Sequence, residues 1–331
     1  MENMTKYSVI VPCFNEEATI SGLLDALLGQ TYPISAGEII FADGMSTDQT
    51  RACIQRVQQN HPEATIKIVD NPKRNIPAGL NSAIAQAQGE IIIRLDAHCI
   101  PRPDYIERCL KDLDEGLGQN VGGVWEIQPS NSSWIARGIA AAASHPLGAG
   151  DAAYRTARQG GSVDTVPFGA YQKELAQRIG LYDESLLTNE DYEFNVRIRQ
   201  NGGIVWLDPQ IRSIYFARGS LNALAQQYLR YGLWKGRMLR RYPQTLRWRQ
   251  VIPPLFVLSL LLLAAAGFFF EPAWLLLVLE AGLYLIVLFL FGFLKAFQTG
   301  DAWLIIGMPL AIATMHICWG AAFLSSVWKR V

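Results

Sequence analysis

Brief runs of consecutive apolar, β-branched residues alternate along the first part of the chain with longer stretches of helical period. Residues 7–11, 38–41, 65–69 and 90–95 are such runs, and their turn-forming borders predict buried strands. Between them, residues 16–28 place Ile20, Leu23, Leu24, Leu27 and Leu28 on one helical face, residues 47–59 follow, and residues 78–88 are rich in helix formers. This alternation predicts an α/β, Rossmann-like domain whose sheet is mostly parallel, with right-handed crossovers. Residues 121–180 are rich in Gly, Ala and Ser with weak periodicity, which predicts irregular structure around short elements. Beyond them, residues 186–200 read as a helix and 204–207 as a short strand. Residues 221–241 read as an amphipathic helix carrying aromatic and basic side chains.

The pattern changes after residue 250. From there on Glu271, Glu280, Lys295, Asp301, Lys329 and Arg330 are the only charged side chains, and residues 251–270, 273–294 and 302–327 each reach the length that crosses a bilayer as a helix. The chain therefore divides into a soluble domain (1–220), a basic amphipathic interfacial helix (221–250) and transmembrane helices (251–331). Arg230, Lys235, Arg237, Arg240, Arg241, Arg247 and Arg249 precede the first span, and the N-terminus carries no secretory pattern. Both features predict a multi-pass protein of the inner (cytoplasmic) membrane with its soluble domain in the cytoplasm. Glu280 is an ionisable residue inside a span, with His316 as a candidate partner. It reads either as a neutral packing group or as a contact for a lipid-linked molecule.

Composition narrows the field further. A net charge of zero supplies no global basic field for nucleic acid. Five cysteines, without paired metal spacing, predict reduced thiols. Neither GxGxxG after the first strand nor GxxxxGK[ST] occurs, against a dinucleotide dehydrogenase or a P-loop enzyme.

Polar residues stand just past the carboxyl ends of the predicted strands: Asn15 and Glu16, Asp43, Asp70, and Asp96. In open α/β sheets that edge is where ligands bind. Asp43 suits either hydrogen bonds from a base or ribose or a turn role, and Asp48 suits the turn role better. Lys73 and Arg74 read as diphosphate contacts or as solvated turn charges. Asp96 and His98 are two apart, so an extended backbone would direct both to one side, where they could grip one metal. Imidazole suits Mn²⁺ better than Mg²⁺; the other role for His98 is as a phosphate donor or a support behind the metal. Glu190 and Asp191 precede a helix, where they read as ordinary first-turn acids or as a proton acceptor with its neighbour.

Pro12-Cys13-Phe14-Asn15-Glu16-Glu17, Asp43-Gly44-Met45-Ser46-Thr47-Asp48, Asp96-Ala97-His98 and Asn189-Glu190-Asp191-Tyr192, in that order, resemble the family 2 glycosyltransferases. Asp164-Thr165-Val166-Pro167-Phe168-Gly169-Ala170-Tyr171 resembles the succinoglycan-type exopolysaccharide glucosyltransferases within that family. The resemblance implies a nucleotide-diphospho-sugar transferase fold of the GT-A type and transfer with inversion. It implies a UDP-sugar donor, with glucose as the sugar, and a divalent metal, with Mn²⁺ favoured. Pro12, Phe14, Asn15, Glu16, Asp43, Arg74 and Asp96 would bind the nucleotide sugar, Asp96 and His98 the metal, and Asp191 would be the base. Phe168, Gly169 and Glu190 would organise the site or meet the acceptor. Gln227, Arg230 and Tyr231 join them through likeness to the Gln-x-x-Arg-Trp element of processive members, with Tyr in place of Trp. Two departures stand out: Gly44 where many relatives have a second Asp, and His98 where they have a carboxylate. The implied acceptor is a membrane-held, polyprenyl-diphosphate-linked saccharide or a lipid, other polysaccharide-assembly proteins are admissible partners, and nucleic acid is not. Alternatives are a polyprenyl-phosphate sugar synthase, a lipid glucosyltransferase, a processive polysaccharide synthase, and a non-catalytic scaffold that binds nucleotide sugars.

Overall fold

A computed structural model describes residues 6–150 and 152–328; Lys329 and Arg330 lie outside the described residues. In chain order the elements are β1 (Tyr7–Cys13), α1 (Ile20–Leu28), β2 (Gly37–Asp43), α2 (Thr50–Asn60), β3 (Thr65–Asp70), α3 (Ile76–Gln86), β4 (Ile91–Arg94), β5 (Cys99–Pro101), α4 (Tyr105–Asp114) and β6 (Asn120–Pro129). There follow α5 (Trp134–Ala143), α6 (Pro146–Ala149), α7 (Ala153–Thr156), β7 (Gly161–Ser162), β8 (Gly169–Gln172), α8 (Lys173–Ile179), α9 (Glu190–Gln200) and β9 (Val205–Ala217). The chain ends with α10 (Leu221–Arg241), α11 (Ile252–Gly267), α12 (Pro272–Thr299) and α13 (Leu304–Trp328). Two compact units form: Met1–Glu126 with Ala157–Tyr215, and Ile127–Thr156 with Phe216–Val331. The second unit thus takes in Ile127–Thr156, which the linear division at residue 220 assigns to the soluble domain.

The described residues form one nine-stranded sheet, in the order β3-β2-β1-β4-β8-β6-β9-β5, with β7 paired to β9. Strands β3, β2, β1 and β4 pair in parallel, as the βαβ alternation predicts. From β4 outward the pairing is antiparallel, β4 with β8 and β8 with β6, so the parallel character stops at four strands and the sheet is mixed. β1 and β2 are buried along nearly their whole length because helices cover both faces. Their side chains form one core with Ile20, Leu23, Leu24 and Leu27 of α1 and with Tyr105 and Ile106 of α4.

Several boundaries shift for local reasons. α1 begins at Ile20 rather than residue 16, because residues 14–17 spend their polar groups on the loop after β2. α3 begins at Ile76, where the Asn75 side chain accepts from Ala78 N and Pro77 fills the first turn. β9 runs thirteen residues, well past the predicted 204–207. Asp208-Pro209 reads as a stop, yet the pairing absorbs it: Asp208 Oδ1 accepts from Gln210 N and the buried alternation resumes at Ile211.

In the second unit α13 is the central helix, packing against α5, α10, α11 and α12. The Gly and Ala content of α5 has its cause here: a Cβ at Gly138 would fall 2.4 Å from the Gly307 carbonyl carbon, so the two helices touch backbone to backbone. Arg137 Nε donates to Asp301 Oδ2 at 2.6 Å at the end of the same contact. Among the described residues three helices are long and apolar enough to cross a membrane, Trp248–Gly267, Pro272–Thr299 and Leu304–Ser326. Glu280 Oε1 accepts from Ser259 Oγ at 2.5 Å, joining α12 to α11. The candidate pairing with His316 does not form: His316 donates through Nε2 to the Leu147 carbonyl, and its Nδ1 lies 3.0 Å from the Tyr284 hydroxyl.

The full chain is expected to sediment with membranes after high-salt and carbonate washes and to leave them only in detergent, as fractionation and immunoblotting would show. Monodisperse protein recovered without detergent would contradict the membrane assignment of α11 to α13. A chain cut at Gln250 loses α13 and so uncovers α5 and α10.

Candidate active site

The parallel strands β1 to β4 end on one edge of the first unit, and the loops leaving them are laced together. Asn15 N donates to Ser46 Oγ at 2.9 Å and Asn15 Oδ1 accepts from Thr47 N at 2.8 Å. Glu16 N donates to Thr50 Oγ1, Glu17 N to Asp48 Oδ2, and Gln49 N to Glu17 Oε2. The motifs after β1 and β2 are therefore one structure. Of the five described non-glycine residues with positive φ, Asn15, Met45 and Asn189 stand in three of the four motifs, and Arg74 stands in the loop after β3. Such backbone geometry costs energy and persists only where surrounding bonds fix it, a concentration typical of functional sites.

Asp43 is wholly buried. Its Oδ1 accepts from Ser46 Oγ at 2.5 Å, and its Oδ2 accepts from Ser46 N and lies 3.5 Å from the Arg51 guanidinium, which also binds Asp70 at 2.6 Å. A base or ribose would share this carboxylate with those donors. Asp48 takes the turn role, accepting from Thr50 N and Thr50 Oγ1. Pro12 lies within β1, whereas Phe14 is exposed beside Gly44, where a Cβ would meet the Phe14 side chain at 3.2 Å. Lys73 turns to Glu184, while Arg74 is exposed and forms no ion pair with any described residue.

The extended backbone expected through Asp96 and His98 does not persist. β4 stops at Arg94, and a turn closed by Cys99 N donating to the Asp96 carbonyl replaces it, so strand alternation no longer sets the direction of either side chain. His98 Nδ1 instead lies 3.2 Å from Glu16 Oε1. Asp96 Oδ1 accepts from Arg94 Nη2 at 3.3 Å, and the same nitrogen donates to Glu190 Oε1 at 2.8 Å. Sequence reasoning passes over Arg94, although a signal exists: it is an arginine closing the run Ile91-Ile92-Ile93 in a buried strand.

Glu190 and Asp191 form the first turn of α9, entered through left-handed Asn189. Asp191 is half-buried, and its carboxyl is pushed up to about 7, first by burial and then by the Glu190 carboxylate, with Arg94 acting in the other direction. α9 is anchored to the Asp164–Tyr171 segment. Asn195 donates to Thr165 Oγ1 and the Val166 carbonyl, Asn120 donates to Asn195 Oδ1, and the Tyr192 hydroxyl donates to Asp164 Oδ2. Phe168 is buried against Trp125, and its carbonyl accepts from the Tyr105 hydroxyl. At Gly169 a Cβ would fall 2.2 Å from Asn120 Oδ1, so only glycine lets β8 pass that buried amide. Both residues are fixed by packing. Gln227, Arg230 and Tyr231 sit on α10 in the second unit, where Gln227 donates to the Tyr231 hydroxyl at 2.9 Å and Arg230 is exposed.

Cys13, Cys99 and Cys109 are buried free thiols, and burial pushes the Cys13 thiol up to about 12, as expected for packing groups rather than nucleophiles.

The family model described as glycosyl transferase family 2 matches residues 8–180. A dolichyl N-acetyl-alpha-D-glucosaminyl phosphate 3-beta-D-2,3-diacetamido-2,3-dideoxy-beta-D-glucuronosyltransferase of Methanococcus voltae is 31% identical over 80% of this chain and 83% of its own. The succinoglycan biosynthesis protein ExoA of Rhizobium meliloti is 28% identical over 99% of this chain and 95% of its own. Among solved structures, the mannosyltransferase PcManGT of Pyrobaculum calidifontis, in complex with GDP-Man and Mn²⁺, superposes with a TM-score of 0.67 at 19% identity, covering 98% of this chain and 88% of that one. Residues 1–349 of S. aureus TarS with UDP-GlcNAc give a TM-score of 0.52 at 15% identity, over 93% and 91%. Both structural likenesses bear on the fold.

Proposed function

The chain belongs to glycosyl transferase family 2, and from that premise we propose that it moves a sugar, glucose, from a UDP-sugar to a hydroxyl of a membrane-held, polyprenyl-diphosphate-linked acceptor, with inversion. Likeness to a succinoglycan biosynthesis protein along nearly the whole chain supports a role in exopolysaccharide assembly. The name of the M. voltae relative supports an acceptor carried on a lipid phosphate. The candidate membrane helices favour such a substrate by confining enzyme and acceptor to one surface. The Lys and Arg excess before the first span supports a cytoplasmic position for the soluble part at the inner membrane.

One observation carries the reading: carboxylates from two separate motifs, Asp96 and Glu190, meet on one buried arginine, with Asp191 next to them. A sugar hydroxyl is a weak nucleophile. As its oxygen bonds to the anomeric carbon, the bond from that carbon to the diphosphate breaks, the electron pair leaves with UDP, and Asp191 takes the hydroxyl proton. Burial holds Asp191 basic enough for this near neutral pH. Glu190, fixed by Arg94, orients the base and the acceptor beside it.

Among the described residues no three His, Cys, Asp or Glu side chains gather to cage a metal ion. Asp96 nevertheless spends only Oδ1 on Arg94, and a divalent ion shared with donor phosphates needs only one or two protein groups. Asp96, with His98 beside Glu16, fits that open arrangement. Such an ion, Mn²⁺ in preference to Mg²⁺, would supply positive charge against the departing diphosphate.

Release of UDP from UDP-glucose by the detergent-solubilised full chain tests this reading. Release should require added membrane lipids, and kcat/KM should climb as pH rises through about 7, because Asp191 is a base only once deprotonated. Absence of release, or a flat profile between about pH 5 and 8, would contradict it.

A further inference from the structure

Arg94 closes β4 with only 4% of its surface exposed. A buried guanidinium is costly unless acceptors surround it. Here one nitrogen is served: Nη2 donates to Glu190 and Asp96, whereas Nε and Nη1 find no acceptor. An aliphatic side chain after Ile91-Ile92-Ile93 would satisfy packing at lower cost, so packing does not explain the residue. The groups facing it explain it better. Asp96 lies on the turn after β4, Glu190 and Asp191 lie on α9, and the Tyr182 ring stands 6.0 Å from the guanidinium carbon. Three of these four are carboxylates, and they come from the two motifs that the transfer reaction has to bring together.

We propose that Arg94 is a positioning residue for sugar transfer: without touching donor or acceptor, it ties the end of β4 to the first turn of α9 and so sets Glu190 and Asp191 against Asp96. The inference rests on the function proposed above. Removing the cation leaves adjacent carboxylates to repel one another in a poorly solvated place, and among the described residues no other cation pairs with Glu190. Displacement of the base by about an ångström costs on the order of 100-fold in turnover.

The test compares the full chain with Arg94→Met, Arg94→Lys and Glu190→Gln, alone and combined. Readouts are kcat per folded molecule, donor Kd by calorimetry, and Tm. Arg94→Met should lower kcat by about 100-fold while donor Kd moves less than about threefold, because Asp43 and Arg74 are untouched and Asp96 keeps Oδ2, the oxygen that Arg94 does not bind. Arg94→Lys should recover about a tenth of parental turnover, since an ammonium keeps the charge but ends short of the position Nη2 holds between Glu190 and Asp96. In the Glu190→Gln background, Arg94→Met should cost far less than in the parent, because both changes break one pairing. If Arg94→Met does not fold, Arg94→Lys decides: a fall of at least about fivefold with unchanged donor Kd supports the inference, and parental turnover overturns it. A lowered Tm with unchanged kcat per folded molecule, or strictly additive losses, would make Arg94 structural only. An active parent beside an equally active Arg94 variant contradicts this inference alone. A parent that neither transfers nor hydrolyses donor contradicts the proposed function as well.

Discussion

Asp191→Asn is expected to bind UDP-sugar almost as tightly as the parent and to transfer it slower by on the order of 10² to 10⁴. The two side chains have nearly the same volume, so α9 and its anchors through Asn195 and Tyr192 should persist. What disappears is the capacity to take a proton. Donor contacts are proposed for Asp43, Arg74 and Asp96, so the loss belongs in turnover rather than in donor affinity. Calorimetry beside single-turnover transfer separates the two. A variant within a few-fold of the parent would remove Asp191 as the base. It would also favour a polyprenyl-phosphate acceptor, whose ionised oxygen needs no base.

The second large effect concerns Asp96 and the divalent ion. Chelation should abolish transfer, and Mn²⁺ should restore it at least as well as Mg²⁺. Asp96→Ala should weaken donor binding and turnover together, with a combined loss on the order of 10³ in kcat/KM. It removes both the candidate ligand and an acceptor of the buried Arg94, so Tm is measured alongside. His98→Asp should shift the preference toward Mg²⁺, since a carboxylate suits that ion better than an imidazole. Full activity in chelator would exclude a metal from the step. An unchanged metal profile in the His98 variant would place that residue behind the ion, where its contact with Glu16 already tends.

The parallel half of the fold was legible because its strands are buried on both faces and read as unbroken apolar runs, such as Val9-Ile10-Val11 and Ile39-Ile40-Phe41. The antiparallel half was not. β8 is four residues long and held by pairing partners distant in sequence, and β9 carries Asp208-Pro209 in its middle, which local propensity reads as a turn. The Ala- and Gly-rich α5 looked irregular because its partner is α13, whose sequence lies far along the chain. At the site, the strand-end acids could be found from position alone. The bend between Asp96 and His98 could not, because a strand period says nothing about where the strand stops. Arg94 was readable as an anomaly, a charge ending an isoleucine run, but its two partners become apparent only when α9 meets β4.

The claim that this chain transfers a sugar to a membrane-held acceptor is tested most directly by product mass. The full-length protein in detergent would be incubated with UDP-glucose, Mn²⁺ and lipids from its native membrane, and the lipid fraction read by mass spectrometry. The account predicts a lipid-linked saccharide heavier by one hexose residue, formed by the parent and nearly absent with Asp191→Asn. Donor binding by calorimetry with neither UDP release nor any heavier lipid, across a panel of nucleotide sugars and metals, would contradict it and identify a binding scaffold instead.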